Sequence, residues 1–263
     1  MFLNSDLYNS ILKKSGISTL FLFCSLLINF NTFSQIHNYF DGSKSYHYNV
    51  RYIDSCGDTI TSEKLIIRST GKRWIFQPFK QKAVDYIFDT DTSDYSGYQD
   101  PEEFFRKKDQ KYYKNKNKYR LSKEETTGGY VTDSFFYFHP PRTNQYRFLQ
   151  YSVHPFFHLR SLNKKHDEYM LDHVRYIGLG RFIQTFVVDS LGKRKVGNKT
   201  VNMWELNVES KLKPDTEYYK SIQRFYQSSF YALFCVEFGF IKMYYKFENG
   251  IKIEFDFVKV EEI

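Results

Sequence analysis

Seven histidines, His37, His47, His139, His154, His158, His166 and His173, are the residues of this sequence best suited to chemistry near neutral pH. Two of them stand four apart in HPFFH, His154 and His158. On a helix that spacing would put both imidazoles on one side and invite a metal ion, with His139 or His166 as a third ligand. Pro155 and the neighbouring aromatics favour extended chain there, and the glutamate of an HExxH zinc site is missing. The expectation is separate, hydrogen-bonded histidines, with no metal and no other cofactor. Nucleophiles offer less. No serine sits in a GxSxG elbow, and Cys235 lies in the apolar LFCVEFGF, a setting that raises a thiol pKa. GLGR (residues 178–181) lacks the remaining glycine of a dinucleotide loop and reads as a turn. Asp89, Asp91 and Asp94 in DTDTSD lack the glycine and distal glutamate of a calcium loop and read as a solvated acidic segment. No catalytic residue is assigned.

One stretch invites a binding reading: SFFYFHPPR, residues 134–142. Proline cannot donate to a ladder, so Pro140 and Pro141 must end the aromatic strand before them. The proline after His139 holds that residue extended as well. HPPR is thus a rigid corner. If the strand lines a cup, Phe136 and Phe138 would meet an apolar ligand there. His139 and Arg142 would then face an anionic headgroup at the rim, where the planar fork of arginine suits phosphate or carboxylate. Arg142 could equally hold the corner itself by bonding loop carbonyls.

The elements that must position these residues are strands. The chain's 263 residues include 27 Phe and 23 Tyr, and aromatic rings favour the pleated, half-buried surface of a sheet. In YHYNVRYID, Tyr46, Tyr48, Val50 and Tyr52 alternate with His47, Asn49 and Arg51. SCGD then turns the chain, TITSEKLIIRS is the return strand, and TGK turns it again into RWIFQPF. Further strands are expected over residues 83–88, 134–138, 146–153, 181–188 and 201–209, the last with Trp204, Leu206 and Val208 opposing Met203, Glu205 and Asn207. At the end, FIKMYYKFENGIKIEFDFVKV reads as a hairpin. A two-residue Asn249-Gly250 loop would mix its faces. A three-residue loop over Glu248, Asn249 and Gly250 sets Phe247 against Ile251, Tyr245 against Ile253, Met243 against Phe255 and Lys242 against Asp256. Two regions do not read as strand: the basic tract 100–123, an insertion or short helix, and residues 229–238, a short buried helix.

A net charge of +8 favours acidic partners such as an anionic envelope polymer, but no nucleic-acid-binding motif is present. Lys13 and Lys14, the uncharged apolar run 17–30 and the NTFSQ that follows have the three parts of a secretory signal. The run is short for a bilayer span, which needs about 20 apolar residues. Residues 1–34 are read as a signal peptide and 35–263 as one all-β domain. Cys24 follows Phe23, where a lipidation signal needs a small residue. Cys56 and Cys235 then remain, a pair that an oxidising compartment permits to bridge and that sequence does not place together. Asn198-Lys199-Thr200 is a glycosylation sequon, with meaning only in a eukaryotic secretory pathway.

FHPPR, YRFLQYSVHPFF and the terminal EFGFIKMYYKFENGIKIEF resemble uncharacterised secreted proteins of Bacteroidetes-type bacteria, which carry an HPPR corner, a PFP-like segment and a terminal GF hairpin. The likeness covers roughly residues 134–160 and 236–257. It departs at HPFF, where a second proline belongs, and in lacking a tryptophan-rich middle. The resemblance implies an envelope protein, periplasmic, outer-membrane-associated or extracellular, and transfers no catalytic residue. The expected fold is a single curved antiparallel sheet or open β-barrel with one or two short helices. The expected function is non-enzymatic: holding a lipid or other hydrophobic small molecule in a cupped sheet, or, as the alternative, binding a partner protein or anionic polysaccharide at the surface. A metal-dependent hydrolase trails both.

Overall fold

The computed structural model describes residues 39, 42–73, 81–89, 123–132, 134–142, 146, 149, 152–176, 180–214 and 227–263. Twelve strands follow one another: β1 Lys44–Ile53, β2 Thr59–Arg73, β3 Lys82–Asp89, β4 Glu124–Val131, β5 Phe135–Phe138, β6 Phe156–His158, β7 His166–Tyr176, β8 Gly180–Val196, β9 Lys199–Pro214, β10 Ser228–Cys235, β11 Gly239–Phe247 and β12 Lys252–Glu262. They form one antiparallel sheet in the order β6-β5-β4-β3-β2-β1-β12-β11-β10-β9-β8-β7. The chain builds outward from β1 to one edge, crosses to the other edge at β7, and works inward until β12 lies beside β1.

That crossing dictates the curvature. Laid flat, twelve strands would hold β6 and β7 about 50 Å apart. The eight steps from His158 to His166 reach at most about 30 Å. The sheet must therefore curl until its edges approach. They do so through side chains and not through a ladder: the Phe156 ring lies 5.7 Å from Phe186, and the His158 amide donates to the Tyr169 hydroxyl at 3.3 Å. The link itself is a 3-10 helix, Leu159–Asn163. Buried Asp167 clamps it to β7 by accepting from Ser161 Oγ at 2.7 Å and from Lys164 Nζ. The hydrogen bond from Lys164 holds the Asp167 carboxyl below the usual carboxylate range.

The inner face carries the core. Alternation in β1 buries Tyr46, Tyr48, Val50 and Tyr52, and β5, β10 and β11 add Phe136, Phe138, Phe230, Phe234 and Phe240. Strands remote in sheet order meet across the interior. Phe136 of β5 lies 5.9 Å from Phe234 of β10 and 5.8 Å from Phe240 of β11, and it stacks at 5.2 Å on Phe157, its partner on the adjacent β6. Polar tips find acceptors among the rings: the Tyr48 hydroxyl donates to the Phe240 carbonyl at 2.9 Å.

The terminal hairpin has the expected register, with Tyr245 opposite Ile253, Met243 opposite Phe255 and Lys242 opposite Asp256. The Phe247 amide donates to the Ile251 carbonyl at 2.9 Å, and Gly250 sits at φ 92°. SCGD is a turn in which Asp54 Oδ1 accepts from the amides of Cys56 and Asp58.

Several expectations are corrected. Residues 229–238 contain no helix: residues 228–235 form β10, with Phe230, Ala232 and Phe234 inward. The apolar run hid its alternation because Leu233, on the outer face, is also covered. Residues 146–153 are not a strand at the described positions. Tyr146 and Leu149 occupy 3-10 positions, and the Ser152 amide donates to the Leu149 carbonyl at 3.2 Å. The buried positions 146, 149 and 153 are spaced as on a helix face, a signal that the aromatics of this stretch obscured. TGK does not turn the chain. β2 runs through it to Arg73, with an irregularity between Ser69 and Arg73 and Gly71 at φ 66°. Gly-containing β4, three-residue β6 and the charge-rich β7 are strands that the sequence pattern did not announce. Cys56 is exposed and Cys235 buried, and they are not bridged. The signal segment 1–34, the basic tract 100–122, RWIFQPF beyond Arg73, and Asp91 and Asp94 lie outside the described residues.

Candidate functional site

β5 runs four residues and its alternation divides the candidate residues between two faces. Phe136 and Phe138 point inward and are 0% and 1% exposed, respectively. Tyr137 points the other way and joins His139. The corner that follows is bonded to β4 and β3. The His139 amide donates to the Gly128 carbonyl at 2.9 Å, and the His139 carbonyl accepts from Thr127 Oγ1 at 3.0 Å and from the Tyr86 hydroxyl. Pro140 and Pro141 are buried beside these bonds. Arg142 is tied down by one carboxylate: its amide donates to Glu125 Oε2 at 2.7 Å, and its Nε lies 3.6 Å from Glu125 Oε1.

The site's polar centre is Tyr137 between two imidazoles. Its hydroxyl lies 2.8 Å from His139 Nε2 and 3.1 Å from His154 Nδ1, and the two rings meet edge to face at 4.5 Å. Burial, then the nearby Arg142 guanidinium, pushes the His139 pKa down to about 4. At neutral pH His139 is therefore uncharged. Its attraction for an anion would come from a neutral N–H, and the guanidinium beside it is already paired with Glu125.

The other histidines are dispersed. His158 packs against Tyr169 at 4.7 Å, and burial lowers its pKa. Exposed His166 bonds Asp189 at 2.7 Å, a contact that raises its pKa. His47 lies 3.0 Å from Glu261. His173 lies in β7, and His37 is outside the described residues. The chain at His154 and His158 is extended, so His154 joins His139 while His158 faces β7. Among the described residues no three metal-binding side chains come together. Burial pushes the Cys235 thiol up to about 12, which leaves it un-ionised at neutral pH.

Sequence reasoning passed over one polar pair in the interior. Glu63 is 8% exposed and accepts a hydrogen bond from the Tyr146 hydroxyl. The signal was present: counting back by two from Ile67 and Leu65 puts Glu63 on the inner face of β2.

No family model matches the chain, and no curated protein does. Solved structures similar to the chain include two bacterial proteins. One, described as a lipoprotein from Parabacteroides distasonis, is 9% identical, with 85% of this chain and 98% of that one covered and a TM-score of 0.39. The other, described as an exported protein with a YmcC-like fold from Bacteroides fragilis, is 8% identical, with coverages of 83% and 95% and a TM-score of 0.33.

Proposed function

We propose that this chain is a non-enzymatic exported protein that acts through its outer surface, as an interaction module for an anionic envelope polymer, surface or partner. The observation that carries this reading is the interior itself, where Phe136, Phe157, Phe234 and Phe240 pack ring on ring. A lipid held in a cup at Phe136 and Phe138 would have to part those rings. On the outer-surface reading Phe136 and Phe138 are core residues, and His139 and Arg142 hold the corner through Gly128, Thr127 and Glu125. Export is supported by Lys13, Lys14, the apolar run 17–30 and NTFSQ. Arg142 is held by Glu125, and Cys235 is un-ionised at neutral pH and offers no thiolate nucleophile.

Native mass spectrometry of the purified protein tests the choice between surface and cup. The expected spectrum shows the bare chain; a stoichiometric lipid adduct would establish the cup instead. N-terminal sequencing from the envelope fraction tests export, with a start expected between residues 31 and 36. A chain beginning near Met1 would remove a cleaved signal.

A further inference from the structure

We infer that the tip of the β8–β9 ribbon docks onto a lipid surface bearing anionic phosphate headgroups, a deepening that rests on the outer-surface reading above. β8 and β9 outrun their neighbours. β7 stops pairing with β8 at Asp189, and β10 stops pairing with β9 at Trp204. Beyond Ser190, whose amide still donates to the Lys165 carbonyl at 2.9 Å, residues 191–203, LGKRKVGNKTVNM, continue as a two-stranded ribbon with Lys193 opposite Asn202 and Val196 opposite Lys199. That segment contains Lys193, Arg194, Lys195 and Lys199 and no carboxylate.

An isolated hairpin is marginal in water, but this one is braced. Alternation along β9 puts Trp204 in the main core and Met203 and Val201 on the opposite face, packed on Cys235, and the extra residue in β8 between Ser190 and Gly192 brings Arg194 and Val196 to that same outer face. Leu191, Val196, Leu233, Phe238 and Ile241 surround that second cluster. The cations are thus carried on an anchored support. All four are exposed, and none has a carboxylate partner among the described residues. Arg194 donates only to the Lys193 carbonyl, at 3.0 Å, and Lys199 Nζ lies 5.5 Å over the Phe238 ring.

Their distribution chooses the occupant. Cross-strand partners share a face, which sets Lys193 and Lys195 on one side of the ribbon and Arg194 and Lys199 on the other. A polymer lying along the sheet would meet one pair only. A headgroup layer entered end-on surrounds the tip and engages both. Each basic side chain near an anionic bilayer contributes about fivefold in partitioning.

The test is co-sedimentation of the full chain with phosphatidylcholine vesicles, with and without phosphatidylglycerol. A variant carrying Lys193→Gln, Arg194→Gln, Lys195→Gln and Lys199→Gln should lose at least about tenfold in binding to the anionic vesicles. A control with Lys64→Gln, Lys72→Gln, Lys82→Gln and Lys123→Gln, the same charge removed elsewhere, should keep most of it. The apolar run 17–30 and the basic tract are common to both and cancel in the comparison. Thr200→Trp supplies a second readout that does not need the ribbon charges altered: vesicles of brominated phosphatidylglycerol should quench the new indole, and vesicles of brominated phosphatidylcholine alone should not. Equal losses in the two charge variants, an unaffected ribbon variant, or a loss of polysaccharide binding with vesicle binding intact would each overturn the inference. A lipid adduct in the native spectrum would instead overturn the outer-surface reading, whatever the ribbon does.

Discussion

His139 should make the fold sensitive to mild acid, by an amount that follows from its burial. Its pKa is about 4 in the folded chain, pushed down by burial and by Arg142, against an ordinary value of 6.5. Above pH 6.5 neither folded nor unfolded chain holds the proton, and stability does not depend on this group. Between 6.5 and 4 the unfolded chain binds a proton that the folded chain refuses, so stability falls as the pH falls. Below 4 both states are protonated and the full loss remains. At about 1.4 kcal/mol per pH unit, that loss is about 3 kcal/mol, a large share of the roughly 5–15 kcal/mol that stabilises a typical domain. Urea unfolding at several pH values between 7 and 4, on the parent and on His139→Gln, isolates the effect. Glutamine keeps an amide for Tyr137 but cannot titrate. Carboxylates that also lose stability in acid, Asp167 among them, act in both proteins and cancel. The variant should be the less stable at pH 7, by about 1 kcal/mol for the altered hydrogen bonds, and its disadvantage should shrink or reverse by pH 4. Parallel pH profiles for the two proteins would refute the reasoning.

Gly250→Val should lower stability by about 1–2 kcal/mol from the positive φ alone, and by more because a Cβ there would sit 2.8 Å from the Ser55 Cβ; a neutral result in urea unfolding would count against the three-residue loop. Arg142→Ala should cost about 1 kcal/mol, read as a melting temperature lower by a few degrees, because Glu125 loses the guanidinium while keeping the backbone amide. Unchanged melting with weakened binding of an anionic ligand would instead return Arg142 to the rim of a site. Tyr146→Phe should cost about 1–3 kcal/mol, since it removes a donor from the buried Glu63 carboxylate. Equilibrium denaturation measures it, and a stabilised variant would show that Glu63 does not need that bond.

The local sequence was sufficient wherever one strand's own pattern carried the information. Strict alternation announced β1, since side chains two apart must share a face whatever the strand packs against. The same rule chose the terminal hairpin's loop, because only a three-residue connection keeps Met243, Tyr245 and Phe247 on the side of Ile251, Ile253 and Phe255. The prolines of HPPR ended β5 for want of amide donors. Tertiary structure decided what depends on residues far apart in the chain. The curl follows from β6 and β7 lying at opposite edges of the sheet and yet being joined by a short link. Residues 228–235 are a strand with no visible alternation, because the ribbon covers an outer face that would otherwise meet water. His139 is neutral and Arg142 paired because β4 folds back against the corner, bringing Gly128 and Glu125 to residues whose own sequence reads equally well as an open rim. A side chain's type and spacing are local properties, whereas its charge state and exposure are set by whatever strand packs beside it.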